Sequence, residues 1–201
     1  IQLLKSASLH IENGDSLFIK GKSGSGKSTL LNIISGLQKH TSGELFADID
    51  NQKINSLYDK RWRSLISYIP QEIELVNGTI QDNIIYSENG KVDYKLLRNV
   101  CKICGIPLQD KNNGFNLSTI IGESSSLISG GQSQRVGIAR GLYKRRPILI
   151  FDESTSALDK ESELEILNKT KNLYKNSIFI MVSHNIYLSK LFSTILDIGK
   201  N

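Results

Sequence analysis

The chain has 201 residues, of which 39% are hydrophobic and 22% charged, so it can bury a sizeable core. Its net charge of +5 comes from scattered basic residues whose densest run is 144–146, a pattern that does not favour a nucleic-acid-binding protein. No apolar run approaches the roughly 18–20 residues of a transmembrane helix. The first residue is Ile1 rather than Met and no signal peptide opens the chain, so we expect a fragment preceded by further protein.

The N-terminal part predicts a strand, a loop and a helix in succession. Residues 16–20 are apolar, and residues 21–26 are rich in glycine and serine. Apolar side chains then recur at helical spacing until Ser42 and Gly43 end the pattern. The members of this helical set are Leu30, Leu31, Ile33, Ile34 and Leu37.

The character of the sequence changes between residues 72 and 133. Residues 92–104 are amphipathic with a helical period, whereas residues 111–116 and 122–126 have the composition of loops. We therefore predict an inserted helical lobe.

Cys101 and Cys104 form a lone C-x-x-C, which could be a redox pair or half of a zinc site. They share a helical apolar period with Leu97 and Val100, and no second pair at metal-like spacing completes a site. We therefore assign both cysteines to the core of a helix in a reducing compartment.

Two continuous apolar runs, 148–151 and 178–182, are typical of strands that are buried on both faces. A helix that carries Leu164, Ile166 and Leu167 separates them. Strands that alternate with helices predict a mostly parallel sheet, in which ligands bind beyond the carboxyl ends of the strands.

Residues 21–28 fit the phosphate-loop pattern G-x-x-x-x-G-K-[ST] between a strand and a helix. Glycines allow the backbone N–H groups and the N-terminus of the following helix to surround phosphates. We expect Lys27 to contact the β- and γ-phosphates and Ser28 to bind Mg²⁺. A simple Gly/Ser turn is the alternative, which the flanking elements disfavour.

Asp152 and Glu153 follow directly after the apolar run 148–151. A site that hydrolyses phosphates needs a carboxylate for magnesium and a base for the attacking water. We assign the first role to Asp152 and the second to Glu153. On their own, the two acids could merely begin a turn and a helix. The phosphate loop upstream favours the catalytic interpretation.

The segment 129–132 reads Ser-Gly-Gly-Gln and precedes a helical run through Val136, Ile138 and Leu142. Ser129 is a good N-cap, and the glycines leave helix-end N–H groups open to an anion. An ordinary capped helix start is the alternative for this segment alone.

The order of these motifs is similar to the nucleotide-binding domain of ABC transporters over nearly the whole chain. The matching motifs are the phosphate loop, Gln71, 129–132, Asp152-Glu153, 156–159 and His184. The resemblance implies an α/β fold with a P-loop NTPase (RecA-like) parallel-sheet core, an antiparallel β edge and an inserted α-helical subdomain. It implies a single ABC ATPase domain over 1–201, with 1–71 and 134–201 as catalytic core and 72–133 as helical subdomain.

The same resemblance assigns roles to individual residues. Gln71 would sense the magnesium and the attacking water and join the core to the lobe. Residues 129–132 would contact the γ-phosphate bound by the opposite subunit, 156–159 would cross the dimer interface, and His184 would lie near the γ-phosphate. The implied catalytic residues are Lys27, Gln71, Glu153 and His184. The implied magnesium ligands are Ser28, Gln71 and Asp152. The implied ATP-binding residues are Gly21, Ser23, Gly24, Ser25, Gly26, Lys27, Ser28, Thr29, Ser129, Gly130, Gly131 and Gln132.

Two further segments resemble the exporter subclass. Residues 78–84 are similar to the part of exporter domains that faces the coupling helices of the membrane part. Residues 119–123 are similar to the exporter loop that precedes the family signature, which is matched here by 129–132.

Two positions depart from the family pattern. Ile128 replaces a leucine, a volume-conserving change, and Ser125 stands where the loop normally has glycine.

The resemblance implies ATP and Mg²⁺ as cofactors. The aromatic residue that stacks on adenine in the family would lie upstream of Ile1, and residues 168–171 lack the aspartate of a guanine motif. The implied partners are a second nucleotide-binding domain and a transmembrane domain in the same polypeptide, without nucleic acid. The implied location is the cytoplasmic face of a bacterial inner membrane.

Three other functions remain open on the sequence. A soluble ABC ATPase that acts on nucleic acid or ribosomes would share the nucleotide motifs, but usually carries long insertions that this chain lacks. The nucleotide-binding domain of an importer is the second. A catalytically silent regulatory domain is the third, and the presence of Glu153 and His184 speaks against it.

Overall fold

The computed structural model of the protein describes residues 9–49, 52–54, 59–86, 90–109, 114–122 and 128–199. In chain order the elements are β1 (Ser16–Lys20), α1 (Lys27–Ile34), β2 (Ala47–Ile49), β3 (Gln52–Ile54), α2 (Lys60–Ser64), β4 (Ile66–Ile69), β5 (Gly78–Thr79), α3 (Ile80–Ile84), α4 (Tyr94–Cys104), β6 (Ile120–Ile121), α5 (Gly130–Tyr143), β7 (Ile148–Asp152), α6 (Lys160–Leu173), β8 (Ile178–Val182), a 3₁₀ helix (Ile186–Leu191) and β9 (Thr194–Asp197). Among the helices within these ranges, none has the length and apolar character needed to cross a membrane.

The first of two compact units contains the described residues up to Tyr68, together with Arg146–Asp152 and those from Asn176 onward. Its five-stranded sheet has the order β4-β7-β8-β1-β9, and the pairs β7-β8, β8-β1 and β1-β9 are parallel. Met181 of β8 stands opposite Phe18 of β1 on one side and Phe151 of β7 on the other. The parallel sheet predicted from the sequence is confirmed.

The core of this unit lies between the sheet and helix α1. Leu17 of β1, Ile150 of β7 and Leu31 of α1 are completely buried and belong to one apolar cluster. The Trp62 indole N–H donates a 2.7 Å hydrogen bond to the carbonyl of Ile34. That carbonyl ends helix α1 and would otherwise lack a partner. The cluster therefore fixes the helix that follows the phosphate loop.

The second unit contains the described residues of Ile69–Arg145 and Glu153–Lys175. Helix α5 is its centre and packs against α3 and α4, while α4 also packs against α6. Cys101 and Cys104 are completely buried in α4, which confirms their assignment to a helix core. The described part of the chain contains no group of three His, Cys, Asp or Glu side chains that could hold a metal ion.

The predicted elements agree with the structure in type and differ at their ends. The apolar run at 148–151 extends to Asp152 as β7, and the helix predicted over 92–104 begins at Tyr94. The later start has a local cause, because the Asp93 carboxylate accepts a hydrogen bond from Leu96 N–H and caps the helix at that point.

The second compact unit also contains helices from both parts of the predicted division. It includes all of α5 and all of α6, although residues 134–201 are predicted to belong to the catalytic core, and that division stays a prediction. Side-chain contacts hold these helices together. The Arg135 guanidinium donates to the Cys104 carbonyl at 2.9 Å and to Ser162 Oγ at 2.8 Å, which ties α4, α5 and α6 together.

Candidate nucleotide-binding site

Residues 21–28 form a loop between β1 and α1 whose backbone requires glycine at two positions. Gly24 and Gly26 have φ angles of 76° and 95°, in the left-handed region that side chains disfavour. Gly26 is also the N-cap of α1, and its carbonyl accepts from Leu30 N–H at 2.9 Å. The first N–H groups of α1 are therefore free to face an anion.

The Lys27 side chain bends back over this loop. Its ammonium donates hydrogen bonds to the carbonyls of Gly21 at 3.0 Å and Lys22 at 3.1 Å, and the residue is only 6% exposed. Both acceptors are neutral, so these bonds orient the ammonium without neutralising its charge. The arrangement places one positive charge at the centre of a ring of backbone groups, where a phosphate is favoured.

A second feature of the loop fits a phosphate. A Cβ added at Gly21 would lie 2.5 Å from Ser25 Oγ, so the space beside this glycine is already filled. Ser25 Oγ is buried and has no hydrogen-bond partner within the described chain. A buried hydroxyl without a partner is costly unless a ligand supplies one. A phosphate oxygen is a suitable acceptor, and the loop therefore fits a phosphate group.

Asp152 ends β7 and receives a hydrogen bond from the strand beside it. The Tyr68 hydroxyl of β4 donates to Asp152 Oδ2 at 2.6 Å. Burial, and then the Asp152 carboxylate, raise the pKa of Tyr68 well above its usual range, so the hydroxyl remains a donor at neutral pH. With Ser28, Asp152 offers hydroxyl and carboxylate oxygens, which is the donor set that suits Mg²⁺.

His184 follows β8, the strand between β7 and β1 in the sheet. Its side chain is exposed, and the turn that carries it is held by Asn185 N–H, which donates to Ser183 Oγ at 3.0 Å. Because β1, β7 and β8 run parallel, their carboxyl ends meet at one edge of the sheet. The first unit thus places the phosphate loop, Asp152 and His184 along that edge.

Glu153 has an unusual backbone conformation. Its φ angle is 50°, in the left-handed region, which costs a side-chain-bearing residue about 1–2 kcal/mol. Within the described chain, Arg145 is the other residue besides glycines with a positive φ. Backbone strain of this kind concentrates at functional sites. Glu153 begins the part of the second unit that leads into α6.

Residues 129–132 form a complete capping box at the start of α5. Gln132 N–H donates to Ser129 Oγ at 3.2 Å, and Ser129 N–H donates to Gln132 Oε1 at 2.8 Å. The prediction that Ser129 caps a helix is confirmed. Since the Gln132 amide serves this cap, the groups of the segment that face outward are Ser129 and Gly130, which are exposed. Gln71 is likewise exposed, two residues after β4 in the second unit.

The two segments that resemble exporters are hydrogen-bonded to each other. Gly78–Thr79 forms β5 and pairs antiparallel with Ile120–Ile121, which forms β6. Thr79 then caps α3 through a capping box with Asp82. The resemblance of the two segments to exporters did not predict that they pair with each other. Glu123 and Ser125, which belong to the second resemblance, lie outside the described residues.

Sequence reasoning missed three polar side chains that hold these segments. They are Tyr68, Asn83 and Gln134. Asn83 and Gln134 occupy buried positions in helices that otherwise bury apolar residues, and this break in the apolar pattern is the signal that could have found them. Tyr68 has no comparable signal, because a tyrosine is ordinary in a strand.

The comparisons with known proteins agree with this geometry. The ABC transporter family matches residues 4–156. The iron-sulfur clusters transporter ATM1, mitochondrial, of Debaryomyces hansenii is 38% identical over 187 residues, or 92% of this chain and 26% of that protein. The ATP-dependent lipid A-core flippase of Pectobacterium atrosepticum is 35% identical over 186 residues, or 91% of this chain and 31% of the flippase.

A solved structure of a bacterial Atm1-family ABC exporter with ATP bound superposes with a TM-score of 0.79 at 31% identity, covering 93% of this chain and 33% of that one. The chain spans about a third of the length of the curated relatives it matches. This structural match is consistent with a P-loop NTPase fold. The family match over residues 4–156, together with these similarities, shows that the chain belongs to the ABC transporter family.

Proposed function

We propose that this chain is the ATP-binding and ATP-hydrolysing domain of an ABC exporter. The observation that carries the proposal is the position of the Lys27 ammonium, held inside the phosphate loop by the Gly21 and Lys22 carbonyls. The loop lies at the sheet edge where β7 ends in Asp152. That combination suits a triphosphate better than any other ligand class.

In this proposal each residue has one task. The loop N–H groups and Lys27 bind the phosphates, and Ser28 and Asp152 hold Mg²⁺ with Gln71. The bound metal would neutralise charge on the phosphate oxygens during hydrolysis. Glu153 accepts a proton from the attacking water, a task typically worth about 10²- to 10⁴-fold in rate. His184 stabilises the γ-phosphoryl group from the end of β8.

We further propose that two copies close head to tail around two ATP molecules. Each ATP then lies between the phosphate loop of one copy and residues 129–132 of the other. The exposed Ser129 and Gly130 at the start of α5 support this role, because the N-terminus of a helix favours an anion. Closure completes the site, and hydrolysis allows it to open.

The export function rests on the second unit and on the relatives. A groove of about 790 Å³ is lined by Ile73–Asn77, Gly122, Ile128, Gly130 and Ser133, next to β5 and α3. We place a coupling helix of a transmembrane domain against its Ile73–Asn77 side. Since the chain spans about a third of its curated relatives, we place that domain in the same polypeptide. This position puts the chain at the cytoplasmic face of a membrane, which we propose to be the inner membrane of a bacterium.

A soluble ABC ATPase that acts on nucleic acid or ribosomes, and the domain of an importer, are the competing functions. The relatives named as an iron-sulfur clusters transporter and a lipid A-core flippase favour a transporter over a soluble ATPase. The solved structure of an exporter and the paired β5-β6 segments favour export over import.

The test is ATP hydrolysis by this chain as a function of its concentration, beside the Glu153→Gln variant. We expect a rate that rises faster than linearly with protein concentration, and its loss in Glu153→Gln with ATP binding retained. Glu165→Gln is the matched control, because its exposed ion pair with Lys169 contributes little. Strict proportionality to concentration, or normal turnover in Glu153→Gln, would contradict the shared site or the base.

A further inference from the structure

The buried amide of Gln134 joins residues 129–132, which the proposed function assigns to the nucleotide of the opposite copy, to residues 156–159, which the resemblance places at the dimer interface. Gln134 lies on α5, two residues after the 129–132 segment, and is 6% exposed. Its Oε1 accepts from Ala157 N–H at 2.8 Å, and its Nε2 donates to Ser156 Oγ at 3.1 Å. Both partners lie in the loop between Glu153 and α6.

Two glycines of the signature segment, residues 129–132, lie close to the same loop. A Cβ added at Gly131 would lie 3.0 Å from the Ala157 carbonyl oxygen, and one at Gly130 would lie 3.8 Å from the Ala157 side chain. Glycine at position 131 therefore allows α5 to approach the loop closely. Together with Gln134, the contacts fix both the N–H and the C=O of Ala157 against the start of α5.

The loop is also held from its other side. Ser156 N–H donates to the Glu153 carbonyl and Leu158 N–H to the Thr155 carbonyl, each at 3.1 Å. Asp159 then caps α6 by accepting from Ser162 N–H at 2.9 Å. Residues 153–158 thus form a turn with hydrogen-bonded backbone groups, and this turn connects the partners of Gln134 to Glu153. All of these residues belong to the second unit.

We propose that Gln134 is a positioning residue that fixes residues 156–157 to the signature segment 129–132, so that the segment that meets the opposite ATP and the segment that crosses the dimer interface move as one rigid body. This inference rests on the proposed function, in which residues 129–132 meet the nucleotide of the second copy, and on the resemblance that places residues 156–159 at the dimer interface. The chemistry of the position supports it. Ala157 N–H is satisfied by a side chain rather than by secondary structure, so its location depends on one amide.

The experiment compares Gln134→Leu with Gln134→Glu in the Glu153→Gln background. A leucine removes both hydrogen bonds at similar volume. A glutamate can still accept from Ala157 N–H and from the Ser156 hydroxyl, and so should restore the geometry. Gln109→Leu is the control for the substitution itself, because Gln109 is exposed in the second unit. Dimer formation is followed by light scattering during an ATP titration, and the amides of 154–159 by hydrogen exchange without nucleotide.

We expect Gln134→Leu to need roughly tenfold more ATP for half-maximal dimer formation, a typical effect for loss of buried hydrogen bonds. Its 154–159 amides should exchange faster, while Gln134→Glu and Gln109→Leu behave like the parent. Equal dimer formation or equal exchange in Gln134→Leu would overturn the positioning role. If the Glu153→Gln parent itself forms no dimer with ATP, the proposed function fails first, and the inference fails with it.

Discussion

The Tyr68 hydroxyl and the Asp152 carboxylate, 84 residues apart, form a 2.6 Å hydrogen bond between the ends of two neighbouring strands. The bond occupies Oδ2 of Asp152 and leaves Oδ1 available to a metal. Side chains that hydrogen-bond to a metal ligand set its orientation and its basicity. Tyr68 therefore bears on the proposed magnesium site even though it would not touch the ion.

The first prediction concerns this bond. We expect Tyr68→Phe to raise the Mg²⁺ concentration for half-maximal ATP hydrolysis by about 10-fold or more, the usual range for loss of such a partner. Binding of Mn²⁺ in the presence of ATP, measured by electron paramagnetic resonance, should weaken in parallel. Tyr94→Phe is the control, because Tyr94 is 59% exposed on α4. Unchanged Mn²⁺ affinity in Tyr68→Phe would contradict the role.

The second prediction concerns the space beside Gly21. A methyl group there would lie 2.5 Å from Ser25 Oγ and displace it, so Gly21→Ala should weaken ATP binding. In a Ser25→Ala background the nearest remaining side-chain atom, Ser25 Cβ, is 3.4 Å away, an ordinary contact. We therefore expect the second substitution to remove much of the defect, so that the two effects are not additive.

Titration calorimetry with ATP on the two single variants and the double variant measures that coupling. If the losses of binding free energy in Gly21→Ala and Ser25→Ala simply add in the double variant, the predicted clash is wrong.

The third prediction concerns the completely buried Asn83 of α3. Its Oδ1 accepts from Val76 N–H at 2.9 Å and from the Arg140 guanidinium at 2.8 Å, and its Nδ2 donates to the carbonyls of Val76 and Thr79. Asn83→Ala removes these bonds from half-buried groups, although Arg140 keeps its bonds to the backbone carbonyls of Asn83 and Glu74. Loss of a buried hydrogen-bond partner costs about 1–3 kcal/mol, so we expect a loss of unfolding free energy within that range.

Urea denaturation of Asn83→Ala measures the loss, with Asn77→Ala as control because Asn77 is exposed. Equal midpoints for the two variants would show that the network around Asn83 contributes little to stability.

The residues in these predictions differ in how far their roles could be predicted from the sequence. The phosphate loop, the strand ends and the cap at Ser129 follow from residues that are neighbours in the chain, and local patterns predict them well. The bond from Tyr68 to Asp152 joins residues far apart in sequence, and no local pattern encodes it. Long-range side-chain contacts depend on the packing of elements, which one sequence without relatives does not reveal.

The packing partners of helix α5 could not be predicted for a related reason. The resemblance assigns residues 134–201, and so most of α5, to the catalytic core, which stays a prediction. The buried residues of α5 pack with α3 and α4. The apolar faces of helices predict that they are buried, but they do not predict which partner buries them.

The fourth prediction concerns the two thiols of α4. Burial raises the pKa of Cys101 to about 11 and that of Cys104 further. A thiol pKa that is raised in the folded state stabilises the fold below the unfolded value of 9.0, and this contribution is lost as the pH rises through 9 toward 11. Stability should therefore decline over that range, and neither thiol should react with a disulfide reagent at pH 8 unless the protein unfolds.

Thermal melts between pH 8 and 11 check the first expectation, with Cys101→Ala/Cys104→Ala as the comparison that removes both thiols. The decline should be shallower in that variant. A thiol that reacts rapidly at pH 8 in the folded protein would contradict the buried positions.

The fifth prediction separates the backbone of Glu153 from its carboxylate. A left-handed φ of 50° costs a glutamate or a glutamine about 1–2 kcal/mol, whereas glycine adopts it freely. Glycine also gives the unfolded chain more freedom, which offsets roughly 0.5–1 kcal/mol of the gain. Without nucleotide, Glu153→Gly should therefore melt at a higher temperature than Glu153→Gln, although both should lack hydrolysis. Because the two variants share the loss of the carboxylate, the difference between their melting temperatures reports the backbone strain less the freedom that glycine adds to the unfolded chain. A melting temperature for Glu153→Gly at or below that of Glu153→Gln would mean that the left-handed conformation stores no more strain than this freedom offsets, which contradicts a cost of about 1–2 kcal/mol for placing the proposed base.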